Sequence, residues 1–164
     1  MTRILAVVLT TFIPIALMAT NPAQSQEAST DSDTSPGTEL AREDGIFRAT
    51  GALELSSFLW TTRAIVVFAD SPADPRFQQQ IDLLKKEVAQ LVARDVVVLT
   101  DTDPEASSPI RTKLRPRGFQ MVLVDKDGGV KLRKPRPWTV REITRSIDKT
   151  PLRLREVEER RKIP

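Results

Sequence analysis

Ala64-Ile65-Val66-Val67-Phe68-Ala69, then Asp70-Ser71-Pro72-Ala73-Asp74-Pro75, then a run ending at Val96-Val97-Val98-Leu99: this stretch decides the fold. The first six residues form an unbroken apolar run rich in β-branched side chains, the pattern of a strand buried on both faces. Asp70-Ser71-Pro72 closes it as a loop. From Asp74-Pro75, which serve as N-cap and first helical position, the periodicity changes. Phe77, Ile81, Leu84, Val88 and Leu91 recur at steps of three and four with Gln, Lys and Glu between them, which predicts one helix of about five turns with a single apolar stripe. Arg94-Asp95 leads into the valine run, a second buried strand. Strand, helix and strand in this order make a βαβ unit, so the two strands should be parallel with a right-handed crossover.

Downstream, Asp101 to Pro109 is turn-rich, and Ile110 and Leu114 suggest a short helical piece. Phe119 to Val124 reads as a third strand and Val130 to Arg133 as a fourth. Asp127-Gly128-Gly129 between them is a hairpin turn, because glycine tolerates the positive φ such turns need. Thr139 with Glu142 is a capping box, and Val140, Ile143 and Ile147 mark the buried face of the helix it starts. Thr150-Pro151 opens a last, highly charged helix through about Arg161. Upstream, Leu53, Leu55, Phe58, Leu59 and Trp60 suggest a short helix, with Trp60 in the core and Arg63 packing or pairing at the edge of the sheet. The order β-α-β then β-β-α is that of the core of the thioredoxin-like α/β fold, a mixed four-stranded sheet with helices on both faces, although several small α/β folds share parts of it.

The N-terminus reads differently. Arg3 precedes an apolar run of about 15 residues, Ile4 to Met18, and small residues follow at Ala19, Ala23 and Ser25, the pattern of a secretory signal peptide. The run is shorter than the roughly 20 residues that span a bilayer, and Pro14 interrupts it. Residues 1–25 are therefore expected to be a signal peptide cleaved after Ala19 or Ser25, with no transmembrane anchor after cleavage and a periplasmic or secreted destination. Residues 26–51 are expected to be an acidic, disordered linker, poor in large apolar side chains, and residues 52–161 the folded domain.

Cysteine and histidine are both absent. No disulfide can form, thiol redox chemistry is unavailable, and the usual zinc, copper and haem ligand sets cannot be assembled; no metal and no cofactor is expected. What remains is carboxylate, lysine, arginine and hydroxyl chemistry. Charge is unevenly distributed: Thr20 to Ile110 holds 7 Lys and Arg against 15 Asp and Glu, whereas Arg111 to Pro164 holds 17 against 7. An acidic front and a basic back can steer an anionic partner to the C-terminal half or hold the chain's own acidic segment against it.

Four candidate surfaces and one backbone feature follow. Lys126-Asp127-Gly128-Gly129 with Lys131 forms either an anion-binding hairpin tip or a turn whose lysines serve solubility. Lys131, Arg133, Lys134 and Arg136 with Trp138 form a basic patch with one aromatic, for which an anionic envelope component or another exported protein is a more fitting partner than nucleic acid. Arg153, Arg155 and Glu156, close in sequence to Asp148, can tie the last helix to the domain or bind a ligand. Asp70 and Asp74 are paired carboxylates only if Asp74 is not committed as an N-cap. Pro116 is the nearest candidate for a cis proline before the third strand, though Arg117-Gly118 intervene.

Several strings resemble the DUF4174 domain family, itself similar to the P-DUDES domain of animal sushi-repeat and coiled-coil extracellular proteins. They are Phe58-Leu59-Trp60 with Arg63; Arg94-Asp95; Val124 to Leu132, through Gly128; and Ile147 to Glu156, through Asp148 and Pro151. The resemblance covers roughly Leu53 to Glu158. It implies a thioredoxin-like, peroxiredoxin-like fold, with Trp60, Arg63, Asp95, Gly128, Asp148, Pro151 and Glu156 as signature residues of structural weight. In thioredoxins the redox cysteines follow the first buried strand, which here is Asp70 to Asp74, without a thiol. The expected role is an exported, non-catalytic interaction module. A non-thiol enzyme using Asp70 and Ser71 and a homophilic structural module are the other readings.

Overall fold

The run Arg63–Phe68 is buried at every position, and a strand enclosed on both faces needs neighbours on both edges. In the computed structural model, which describes residues 45–162, it has them. The strands are β1 (Phe47–Ala49), β2 (Arg63–Phe68), β3 (Val96–Asp101), β4 (Gln120–Val124) and β5 (Val130–Lys134). The helices are α1 (Pro75–Lys85), α2 (Val88–Val92), α3 (Pro109–Leu114), α4 (Val140–Asp148) and α5 (Pro151–Lys162), with a 3-10 turn at Leu55–Phe58. The sheet runs β1-β3-β2-β4-β5. β2 and β3 are parallel with Arg63 opposite Val96, and β4 is antiparallel to β2 with Ala64 opposite Val124.

Alternate residues of β2 feed two cores. Ile65 and Val67 join Leu84, Leu91, Met121, Ile143 and Ile147 under α1, α2 and α4. Ala64, Val66 and Phe68 join Leu55, Ile110 and Leu114 under the 3-10 turn and α3. Helices thus cover both faces, as period-two alternation in a doubly buried strand demands. The capping box is complete: the Thr139 hydroxyl accepts from the Glu142 amide, and the Glu142 carboxylate accepts from the Thr139 amide at 2.9 Å. The hairpin closes as expected, with Gly128 at φ +76.

Four expectations are corrected. The sheet has five strands, because β1 lies within the stretch 26–51 read as linker. The outer edge of β3 offers unpaired backbone groups, and Val98 donates to the Ile46 carbonyl at 2.7 Å while Ile46 and Phe47 pack on the core. The five-turn helix is two: Glu87, at φ −135 and ψ 40, separates α1 from α2, and Val88 at the break is only half-buried, outside the core cluster that holds Leu84 and Leu91. Trp60 is 70% exposed, not core, since a positive φ of 61 turns the chain before β2. Arg63 lies on the central strand, 1% exposed, not at the sheet edge. No peptide bond among the described residues is cis, so Pro116 is trans. The signal peptide and the linker through residue 44 lie outside the described residues.

Candidate functional site

The C-terminal ends of β2 and β3 are where a thiol site would stand. The Asp74 side chain caps α1, accepting from the Arg76 amide at 2.8 Å and pairing with the Arg76 guanidinium at 2.8 Å, which holds its carboxyl below the usual range. Asp70 is exposed and 3.9 Å from Arg111, and the Ser71 hydroxyl accepts from the Ala73 amide at 3.2 Å. Among the described residues the Ser71 hydroxyl has no hydrogen bond to a carboxylate or an amine, and the two carboxylates are engaged separately. The more organised group here was not foreseen. Asp101, buried on β3, accepts from Ser108 Oγ at 2.6 Å and Thr50 Oγ1 at 3.0 Å and pairs with Arg111 at 2.7 Å. Burial would push its carboxyl up, but the hydrogen bonds from Arg111, Ser108 and Thr50 outweigh it and hold the pKa down. Arg111 also donates to the carbonyls of Ala69 and Asp101. These groups fasten α3 to the sheet.

The opposite pole gathers most of the signature residues. Arg63 Nη1 donates to the Arg94 carbonyl at 2.9 Å and Nη2 to Glu156 Oε1 at 3.0 Å. Its Nε lies 2.8 Å from Asp125 Oδ1, an electrostatic pairing with no directed hydrogen bond. Lys126 Nζ bridges Asp95 at 2.9 Å and Glu156 at 3.0 Å, and Arg153 pairs with Glu156 at 3.2 Å and donates to the Ala93 carbonyl. Asp148 accepts both arms of Arg94, at 2.9 and 2.8 Å, and Arg160 reaches Asp95 at 3.3 Å. Burial would raise the Glu156 pKa, yet hydrogen bonds from Arg63, Lys126 and Arg153 bring it down to about 2. Asp148 is likewise lowered, first by Arg94. Only one residue of α5, Arg153, is buried, so this helix is held to the sheet mainly by charge.

Beside the network, Trp60, Asp125, Asp127, Lys131, Pro151, Leu152 and Arg155 line a cavity of about 220 Å³. The Trp60 amide donates to the Lys126 carbonyl at 2.8 Å, which fixes the loop on the hairpin. Gly128 is required twice over: its φ is positive, and a Cβ there would stand 2.8 Å from Leu59 Cδ2.

The proposed binding residues therefore divide. Lys126 and Arg153 belong to the network. Asp127 and Lys131 pair with each other at 2.8 Å on the hairpin, which lowers the Asp127 pKa. Arg133 and Lys134 lie on β5: Arg133 donates to the Leu114 carbonyl at 2.8 Å, and the Lys134 ammonium sits 3.9 Å from the centre of the Trp138 ring. Gln80, a polar residue on the apolar face of α1, is fully buried and clamps the Trp138 backbone from both sides, at 2.8 and 3.0 Å. No group of carboxylates able to hold a metal ion occurs among the described residues.

Two parallel strands followed by an antiparallel pair, with helices on both faces, define a thioredoxin-like domain, here without thiols. Similar solved structures include a reduced 2-Cys peroxiredoxin of Plasmodium vivax, 16% identical, TM-score 0.48, covering 64% of this chain and 84% of that one. A Plasmodium yoelii Prx1a is 19% identical, TM-score 0.47, covering 64% and 80%. Chloroplastic thioredoxin z is 22% identical, TM-score 0.43, covering 56% and 82%. No curated protein matches the chain. A family model described as "Domain of unknown function (DUF4174)" matches residues 54–156, and the chain belongs to that family.

Proposed function

We propose that the chain is an exported, non-catalytic thioredoxin-like module that binds an anionic envelope component or another exported protein through its basic C-terminal half. The observation that carries this reading is how the charges are used. At the pole where a thiol would stand, the polar groups cap, pair and fasten. Across the C-terminal half, however, Arg115, Arg117, Arg133, Lys134, Arg136, Arg141, Arg145 and Lys149 have no carboxylate partner among the described residues. Surplus positive charge of this kind attracts anionic partners at a range set by ionic strength.

The test is chromatography of the full chain on immobilised dextran sulfate with a rising salt gradient, beside the triple variant Lys131→Gln, Arg133→Gln, Lys134→Gln. The wild type should be retained at low salt and the variant should elute earlier. Passage of the wild type without retention, or equal elution of both, refutes the reading. Export is checked separately by the N-terminal residue of protein recovered outside the cytoplasm, expected at Thr20 or Gln26.

A further inference from the structure

Trp60 is unexplained by the fold. A bulky residue in the left-handed region costs conformational energy, and such outliers persist where surrounding contacts enforce them. Here the Lys126 carbonyl and the Leu59–Gly128 contact enforce it, and the outcome is an indole 70% exposed beside an exposed Leu59. The side chain contributes little to the core, so its placement serves the surface.

The adjoining cavity has apolar walls in Trp60, Pro151 and Leu152 and a polar rim in Asp127, Lys131 and Arg155. At about 220 Å³ it is smaller than the roughly 300–1,000 Å³ of small-molecule sites and matches one large side chain. Asp125, on its wall, keeps a buried Oδ2 with no hydrogen-bond partner. Charge sets the character of what enters. Across the network and rim, Arg63, Arg94, Lys126, Lys131, Arg153, Arg155 and Arg160 face only Asp95, Asp125, Asp127, Asp148 and Glu156, and Arg155 has no carboxylate partner among the described residues. The surplus is positive.

We infer that this pocket receives a single aromatic or large aliphatic side chain of a partner polypeptide, whose flanking acidic residues pair with Arg155 and Lys131. The inference rests on the interaction-module reading and locates its specific contact. Anchors of this kind, an apolar side chain in a preformed pocket with charges around it, carry most of the energy of an interface. The walls are already fixed: Trp60 to the hairpin through Lys126, and the hairpin to α5 through Glu156. Binding therefore orders little on this side.

The probe is a five-residue peptide, phenylalanine flanked on each side by two glutamates, titrated into the ¹⁵N-labelled full chain. Trp60 and Trp138 are the two tryptophans, so two indole N–H signals report. The Trp60 signal should move and saturate while Trp138 stays still. An alanine-centred peptide should bind at least tenfold more weakly, as should the phenylalanine peptide to Arg155→Glu, with partial recovery in Arg155→Lys. An unmoved Trp60 signal, or equal affinity for the two peptides, overturns the inference. If dextran sulfate retention then persists, the charge reading stands without the pocket; if retention fails while the peptide binds Trp60, the pocket stands without the wider basic surface.

Discussion

Replacing Glu156 by Gln removes the carboxylate on which Arg63, Lys126 and Arg153 converge. The pKa falls from 4.5 to about 2 on folding, and at about 1.4 kcal/mol per unit this is about 3 kcal/mol of folding stability at neutral pH. The carboxylate keeps 16% of its side chain exposed, so solvent takes part of that away and the expected loss is about 2–3 kcal/mol. With a urea m-value of about 1–3 kcal/mol/M, the midpoint should fall by about 0.7–3 M. The sign against pH is defined. A folded pKa below the unfolded one gives stability that is complete above pH 4.5 and lost as pH falls toward 2. Urea melts of wild type and Glu156→Gln between pH 7 and pH 2 should therefore show a gap that is constant down to about pH 4.5 and closes near pH 2. A gap of the same size at every pH would mean that Glu156 acts through packing alone, and no gap at pH 7 would mean that the network contributes nothing net; either result refutes the reasoning.

Two other substitutions probe the parts that hold the surfaces in place. Gly128→Ala puts a Cβ at positive φ and against Leu59, so a loss of about 1–2 kcal/mol in urea melts is expected, with a shifted Trp60 indole signal as Leu59 swings away. Gln80→Ala leaves the Trp138 N–H and C=O without their buried partner; about 3 kcal/mol should be lost, and Gln80→Leu, which restores volume but no hydrogen bonds, should recover less than half in the same assay.

How legible these features are in the sequence depends on the range over which each is determined. β2 and β3 are plain because strands buried on both faces read as unbroken β-branched runs, and the hairpin and α4 are plain because Asp127-Gly128 and the Thr139–Glu142 pair act within four residues. β1 is not, since three residues, Phe47–Ala49, carry no periodicity and owe their conformation to the open edge of β3. The Arg63–Glu156 pair spans 93 positions, and no local pattern links its ends. Each end is legible alone, Arg63 as a pairing residue beside a buried strand and Glu156 as a tie for the last helix, but not their partnership. Gln80 was hidden for the opposite reason. A polar residue one step from an apolar stripe reads as solvent-facing unless the backbone it clamps is known. Trp60 misled because a large aromatic beside a buried strand is ordinarily core, and only a positive φ turns it outward.

β5 ends the sheet with Lys131, Arg133 and Lys134 on five residues, and among the described residues its far side has no neighbouring strand. A bare strand of that kind is a template on which a second molecule can continue the ladder, and like charges along it keep copies apart. The side chains that would draw in an anionic partner are therefore also those that keep the domain from zipping onto itself. Sedimentation of the neutralised triple variant at rising concentration should be followed beside its binding, because a loss of retention by a self-associated species would be a change of company rather than of charge.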